Sequence, residues 1–215
     1  MTVSVLEQLR RLRIVPLIVI DEPEQAGPLA RALVAGGLPC AEIAFRTAGA
    51  LEALRRLAGE HPDVLVGAGT VLTPDQAEAA RGAGARFIVS PGLHPRVVDY
   101  CRSHNLPVFP GVSTPTEIGA ALELGLTVLK FFPAEPLGGL PYLRAIAAPF
   151  PDVEFIPTGG INAANLPSYL AASGVVACGG SWMAPQAWIR AGEFDRIRHE
   201  VEQAVRLVPA RPRES

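Results

Sequence analysis

Residues 64–90 read VLVGAGTVLTPDQAEAARGAGARFIVS, and this stretch decides the fold. Val64–Val66 is a short aliphatic run with the composition of a buried strand. Thr73-Pro74 places an N-cap ahead of a proline at the first helical position, and an alanine-rich helical pattern follows. Gly84 stops that helix, and a second apolar run, Arg86–Val89, begins at once. Strand, helix and strand in so short a span make one βα unit leading into the next, the mark of a parallel sheet.

The same period extends in both directions. Further strands are expected at Ile14–Ile20, Cys40–Phe45, Pro107–Phe109, Val128–Phe131, Glu154–Pro157 and Val175–Cys178, which makes eight in all. Thr114-Pro115 repeats the cap, with Glu117 completing a capping box, and Gly36-Gly37, Gly125 and Gly174 repeat the stop. Eight units point to a closed (β/α)₈ (TIM) barrel of class α/β, while a doubly wound open sheet would give the same local pattern. Met1 to Arg13, with Leu6, Leu9 and Leu12 between polar residues, reads as a short amphipathic helix at the N-terminus. A single domain over residues 1–207 is expected, with a disordered tail at 208–215 carrying Pro209 and Pro212.

Composition narrows the class of function. The chain has 215 residues, 49% of them hydrophobic, and a formal net charge of −2, with no basic block of the kind a nucleic-acid binder needs. The longest apolar run, Ile14 to Ile20, is too short to span a bilayer, and the N-terminus lacks a signal-peptide core, so a cytoplasmic protein with a small-molecule partner is expected. Cys40, Cys101 and Cys178 form no C-x-x-C pair, and His61, His94, His104 and His199 show no metal-ligand spacing; neither a metal nor a cofactor is expected.

One residue stands out within that background. Lys130 is the only lysine, against eighteen arginines. Biased codon or thermal usage that favours arginine explains the eighteen but not the placement of the one exception. It lies near the C-terminal end of an apolar strand, Val128-Leu129-Lys130-Phe131-Phe132, where an unpaired ammonium is costly and burial favours the neutral amine. A neutral amine can attack a carbonyl, which a guanidinium cannot do. Strand parity sets Val128, Lys130 and Phe132 on one face, taken as the barrel interior; a structural ion pair is the competing reading.

Glu42-Ile43-Ala44-Phe45-Arg46-Thr47 is the second unusual segment. Glu42, Ala44 and Arg46 share parity. Glu42 would put a proton acceptor inside the barrel, small Ala44 would leave room, and Arg46 beyond the strand end could fork onto a carboxylate. Gly67-Ala68-Gly69-Thr70 and Ser90-Pro91-Gly92 follow the third and fourth strands at the end where barrel active sites form; taken alone they read as turns. Thr158-Gly159-Gly160-Ile161 follows the seventh strand and Gly179-Gly180-Ser181-Trp182 the eighth. A single glycine pair is usually a tight turn, but two in consecutive units match the recurrent phosphate site of barrels.

Taken in order, these motifs, together with Phe109-Pro-Gly-Val-Ser-Thr-Pro, closely resemble the 2-keto-3-deoxy-6-phosphogluconate (KDPG) and 4-hydroxy-2-oxoglutarate (KHG) aldolase family, over roughly Ile14 to Gly192. The resemblance implies a homotrimeric barrel lyase of the Entner–Doudoroff pathway that releases pyruvate from a 2-keto acid and returns a phosphorylated aldehyde. It implies Lys130 as the Schiff-base lysine and Glu42 as general acid/base. Arg46, Thr70 and Pro91 would line the keto-acid site with Phe132 beside it, and Gly159, Gly160, Gly179, Gly180 and Ser181 would hold phosphate. An acid/base epimerase or decarboxylase on a phosphate-binding barrel, and a non-catalytic metabolite-binding barrel, are the rival readings of the residues.

Overall fold

Capping side chains or prolines mark where several helices of the computed structural model begin; the structure describes residues 3–209. Thr73 accepts from the Gln76 N–H at 3.2 Å, and Thr114 with Glu117 forms a reciprocal capping box, each followed by a proline in the first turn. Ser4 and Glu7 form another box ahead of the N-terminal helix. In chain order the elements are α1 (Val5–Leu12), β1 (Ile14–Ile18), α2 (Ala26–Ala35), β2 (Cys40–Ala44), α3 (Ala50–Glu60), β3 (Leu65–Gly69), α4 (Pro74–Gly82), β4 (Ile88–Ser90), α5 (Pro95–Ser103) and β5 (Val108–Val112). They continue as α6 (Pro115–Glu123), β6 (Val128–Phe131), α7 (Gly139–Ala147), β7 (Glu154–Pro157), α8 (Leu166–Leu170), β8 (Cys178–Gly180), α9 (Gln186–Arg190) and α10 (Phe194–Arg206), with 3-10 turns at Pro23–Gln25 and Glu135–Leu137.

Strands β1 to β7 pair in parallel in sequence order, and β8 pairs with β1. The ring closes between β7 and β8, where the Phe155 N–H donates to Gly174 O at 2.7 Å and the Val176 N–H to Phe155 O at 2.9 Å. An open doubly wound sheet would reverse its strand order and leave two free edges, so the closed barrel is the fold.

Alternate strand residues supply two packed layers. Ile43, Val66, Ile88, Leu129 and Phe131 face the helices, while Val15, Cys40, Leu65, Phe87, Val89, Phe109, Val128 and Ile156 fill the interior. Leu9 of α1 joins the inner layer from below and is 1% exposed. Arg10 forms a two-pronged ion pair with Glu154 at the start of β7. Arg13 donates to the carbonyls of Leu170, Val175 and Val176, stitching the seam between β7 and β8 from beneath.

Several strands run further than local propensity indicates. Gly67-Ala68-Gly69 belongs to β3 rather than to a following turn, Pro110-Gly111-Val112 to β5, and Gly179-Gly180 to β8. Neighbouring side chains account for the glycines: a β-carbon at Gly67 would lie 2.3 Å from the Phe87 ring. The eighth strand, expected at Val175–Cys178, is displaced because Val175 and Val176 are spent on the seam with β7 before the chain pairs with β1. Val208, at the start of the expected tail, packs against the outer core; residues 210–215 lie outside the described residues.

Candidate active site

Strands β2 and β6 point Glu42 and Lys130 into the barrel at its C-terminal end, as parity predicts. The two residues are 3% and 5% exposed, and Lys130 Nζ donates to Glu42 Oε1 at 3.4 Å. Gly69, beside Glu42, leaves room for the carboxylate, since a β-carbon there would lie 2.3 Å from Oε1. Beneath the pair lies a cavity of about 10 Å³, lined by Val15, Phe87, Val89, Phe109 and Ile156 together with Thr158, room for about one water.

This geometry bears on the structural ion-pair reading. A buried ion pair offsets its desolvation only through short and multiple hydrogen bonds, typically about 2.7–2.9 Å. Here a single contact of 3.4 Å joins the groups, and the ammonium nitrogen also lies 5.2 Å from the centroid of the Phe132 ring. The pair therefore lacks the short, multiple contacts by which a purely structural ion pair offsets its desolvation.

Around the pair stands a rim of polar groups. Arg46, exposed beyond β2, donates from Nε to Thr70 Oγ1 at 3.1 Å. Thr70 takes φ +57°, a conformation that a β-branched residue adopts only under constraint. In the turn after β4, Ser90 Oγ donates to Gly92 O at 2.7 Å, and the Pro91 carbonyl is pressed onto Gly111, where a β-carbon would lie only 2.1 Å from it. Gly111 is in turn the register partner of Lys130.

The glycine motifs lie on the same end of the barrel. Gly159 and Gly160 take φ +101° and +82°, open to glycine and strained for other residues. The side-chain amides of Asn162 and Asn165 both donate to Gly160 O, at 3.2 and 3.0 Å, which fixes that peptide plane. Among the described residues the N–H groups of Gly160, Ile161 and Ser181 have no backbone acceptor. Gly179 and Gly180 are buried in β8, where a β-carbon would meet Thr158 Oγ1 at 2.3 Å and the Trp182 ring at 2.0 Å. Glycine is therefore demanded by packing at both positions, whatever binds nearby.

Thr158 is the residue that sequence reasoning missed. Its hydroxyl is buried in the same lining as Lys130 and Glu42. Carrying the parity of Ile156 two residues onward, past Pro157, would have found it. The three cysteines are buried, with thiols raised by desolvation: Cys101 to about 11, Cys178 to about 12, and Cys40 further still, the last also by the Glu42 carboxylate. They stay protonated near neutrality and offer no thiolate nucleophile. No group of three potential metal-ligating residues occurs among the described residues.

A closed parallel barrel with a buried amine and carboxylate at the C-terminal ends of its strands has the layout of a barrel enzyme. Residues 5–200 match the family model described as KDPG and KHG aldolase, and the chain belongs to that family. It is 48% identical to the 2-dehydro-3-deoxy-phosphogluconate aldolase of Treponema pallidum, over 96% of this chain and 98% of that one. It is 45% identical to the KHG/KDPG aldolase of Escherichia coli K12, over 89% and 90%. The crystal structure of KDPG aldolase from Legionella pneumophila, with pyruvate captured as a covalent carbinolamine, superposes with TM-score 0.88 at 41% identity over 92% of this chain and 96% of that one.

Proposed function

We propose that this chain is a class I aldolase that cleaves KDPG to pyruvate and glyceraldehyde 3-phosphate, and that Lys130 is its nucleophile. The observation that carries this reading is the placement of the only lysine inside the barrel beside Glu42. The covalent pyruvate adduct of the Legionella relative is the species an amine nucleophile forms first.

Neutral Lys130 attacks the C2 ketone, and loss of water gives an iminium. Glu42, directly or through one water, takes the C4 hydroxyl proton. The electrons of the breaking C3–C4 bond pass into the iminium, which becomes an enamine as the aldehyde leaves. Glu42 returns a proton to C3, and hydrolysis releases pyruvate and restores the amine.

Arg46, held by Thr70, and the turn at Pro91 would receive the substrate carboxylate, and Phe132 would pack beside the adduct. The N–H groups of the Gly159-Gly160 loop and the N–H and hydroxyl of Ser181 would receive the phosphate, on a frame that Gly179 and Gly180 allow. KHG, cleaved to pyruvate and glyoxylate, shares the keto-acid half and lacks the phosphate. Assembly as a homotrimer and a cytoplasmic site of action belong to the same reading; no described helix is long and apolar enough to cross a membrane.

Intact-mass measurement after mixing with pyruvate and borohydride tests the nucleophile. A reduced pyruvyl adduct is expected on the wild-type chain and not on Lys130→Arg. An adduct that survives in the variant, or its absence from folded wild-type protein that binds pyruvate, would overturn the scheme. Ser181→Ala tests the phosphate contact: KM should rise for KDPG and hardly change for KHG, and an equal rise for both would remove Ser181 from that role.

A further inference from the structure

The loop that follows the lysine strand and the glycine loop after β7 are fastened together. The Ala134 N–H donates to Thr158 O at 2.8 Å and the Glu135 N–H to Gly159 O at 3.0 Å. The Glu135 side chain then lies across Gly160, where a β-carbon would come within 2.5 Å of Glu135 Cβ. Its carboxylate oxygen Oε1 accepts from the Tyr169 hydroxyl at 2.5 Å. Gly139 closes the other side, since a β-carbon there would lie 2.9 Å from Glu135 Oε1 and 3.3 Å from the Tyr169 hydroxyl.

Neither side chain is explained by packing alone. Tyr169 is 1% exposed on α8, where phenylalanine would fill the same space without a hydroxyl to satisfy. Glu135 belongs to an exposed stretch of the rim, where a carboxylate needs no partner. Joined, they anchor a solvent-facing loop to a helix rooted in the core.

We propose that Glu135 and Tyr169 are positioning residues that hold the Gly159–Gly160 loop at a set distance from Lys130. A substrate whose ketone carbon is bonded to Lys130 then meets the loop N–H groups at its phosphate end. Displacement of a binding element by about 1 Å can cost a large factor in rate or affinity. Removing the link should therefore penalise substrates that carry the phosphate and spare those that lack it. The inference rests on the phosphate role proposed above for this loop.

Steady-state kinetics on KDPG and KHG provide the test, with Tyr169→Phe, Glu135→Ala and Glu135→Gln made in the full-length chain. Tyr169→Phe and Glu135→Ala should each raise KM for KDPG by about tenfold. The KM for KHG, kcat and the rate of pyruvate trapping should move by less than about twofold. Glu135→Gln keeps a carbonyl acceptor for the tyrosine and should restore most of the loss. The double variant Tyr169→Phe with Glu135→Ala should be no worse than either single change, because both remove one link.

Equal losses on both substrates would show that the link only stabilises the fold, overturning the proposal. If Ser181→Ala separates KDPG from KHG and the link variants do not, the proposal fails and the phosphate reading stands. If none of the variants separates the two substrates, the phosphate reading falls and the proposal with it.

Discussion

At the N-terminal end of the barrel, Leu9 sits under the inner layer, Arg10 pairs with Glu154 through both prongs, and Arg13 covers three carbonyls at the seam. At the C-terminal end, four buried polar side chains, Glu42, Ser90, Lys130 and Thr158, share a rim with a left-handed threonine and loop N–H groups that lack backbone partners among the described residues. The lower end satisfies its polar groups and fills its space. The upper end holds a loosely joined ion pair, a constrained backbone and open donors. Stability and chemistry thus occupy opposite ends of the same strands, as barrel geometry favours, and the upper end carries costs that the lower end offsets.

The contrast can be broken from either side. The largest effect is expected at Lys130. Lys130→Arg keeps the charge and removes the proposed nucleophile, so turnover should fall by a factor on the order of 10⁴ or more, while circular dichroism and the melting temperature stay close to wild type. Substantial residual cleavage would mean that another group forms the adduct. Glu42→Gln should lower kcat by about 10²–10⁴-fold, the usual share of a positioned proton-transfer group, with pyruvate still trapped by borohydride. Full activity in that variant would take Glu42 out of the proton path.

Leu9→Ala probes the lower end. Truncating a fully buried leucine typically costs about 2–5 kcal/mol, so the melting temperature should drop by several degrees. Below the transition, kcat and KM for KDPG should change by less than about twofold, because Leu9 lines only the floor of the cavity that Lys130 and Glu42 also line, away from the rim. A marked fall in kcat without loss of stability would show that the plug reaches the site, and the division between the two ends would not hold.

The helix starts and the strand count were legible because local signals suffice for them, whereas the Arg10 and Arg13 contacts of the lower end join residues distant in sequence. Aliphatic runs, proline-marked helix starts and glycine stops recur at one period, and parity alone puts Lys130 and Glu42 on the inner face. The upper end was less legible, because its conformation depends on what faces each residue across the barrel. Gly67 and Gly69 look like a turn until Phe87 and Glu42 claim the space above them, and Gly179 and Gly180 do so until Thr158 and Trp182 do the same. Thr158 hid behind Pro157, which interrupts the apolar pattern without changing the strand's parity. The link between Glu135 and Tyr169 joins residues too far apart in sequence for any local motif to announce it.

The smallest expected effect separates constraint from contact at the rim. Thr70→Gly removes the strain of a β-branched residue at φ +57°, worth about 1–3 kcal/mol, and gives back about 0.4–1 kcal/mol through the freer unfolded chain. A modest rise in melting temperature is the net expectation. The same change removes the oxygen that holds Arg46 Nε at 3.1 Å, so KM for KHG should rise a few-fold as the guanidinium loses its orientation. Thr70→Asn tolerates the left-handed conformation and keeps an acceptor oxygen, so it should recover part of the binding. If Thr70→Gly lowers the melting temperature and leaves KM untouched, the left-handed turn serves packing rather than Arg46, and at this position the upper end follows the rules of the lower.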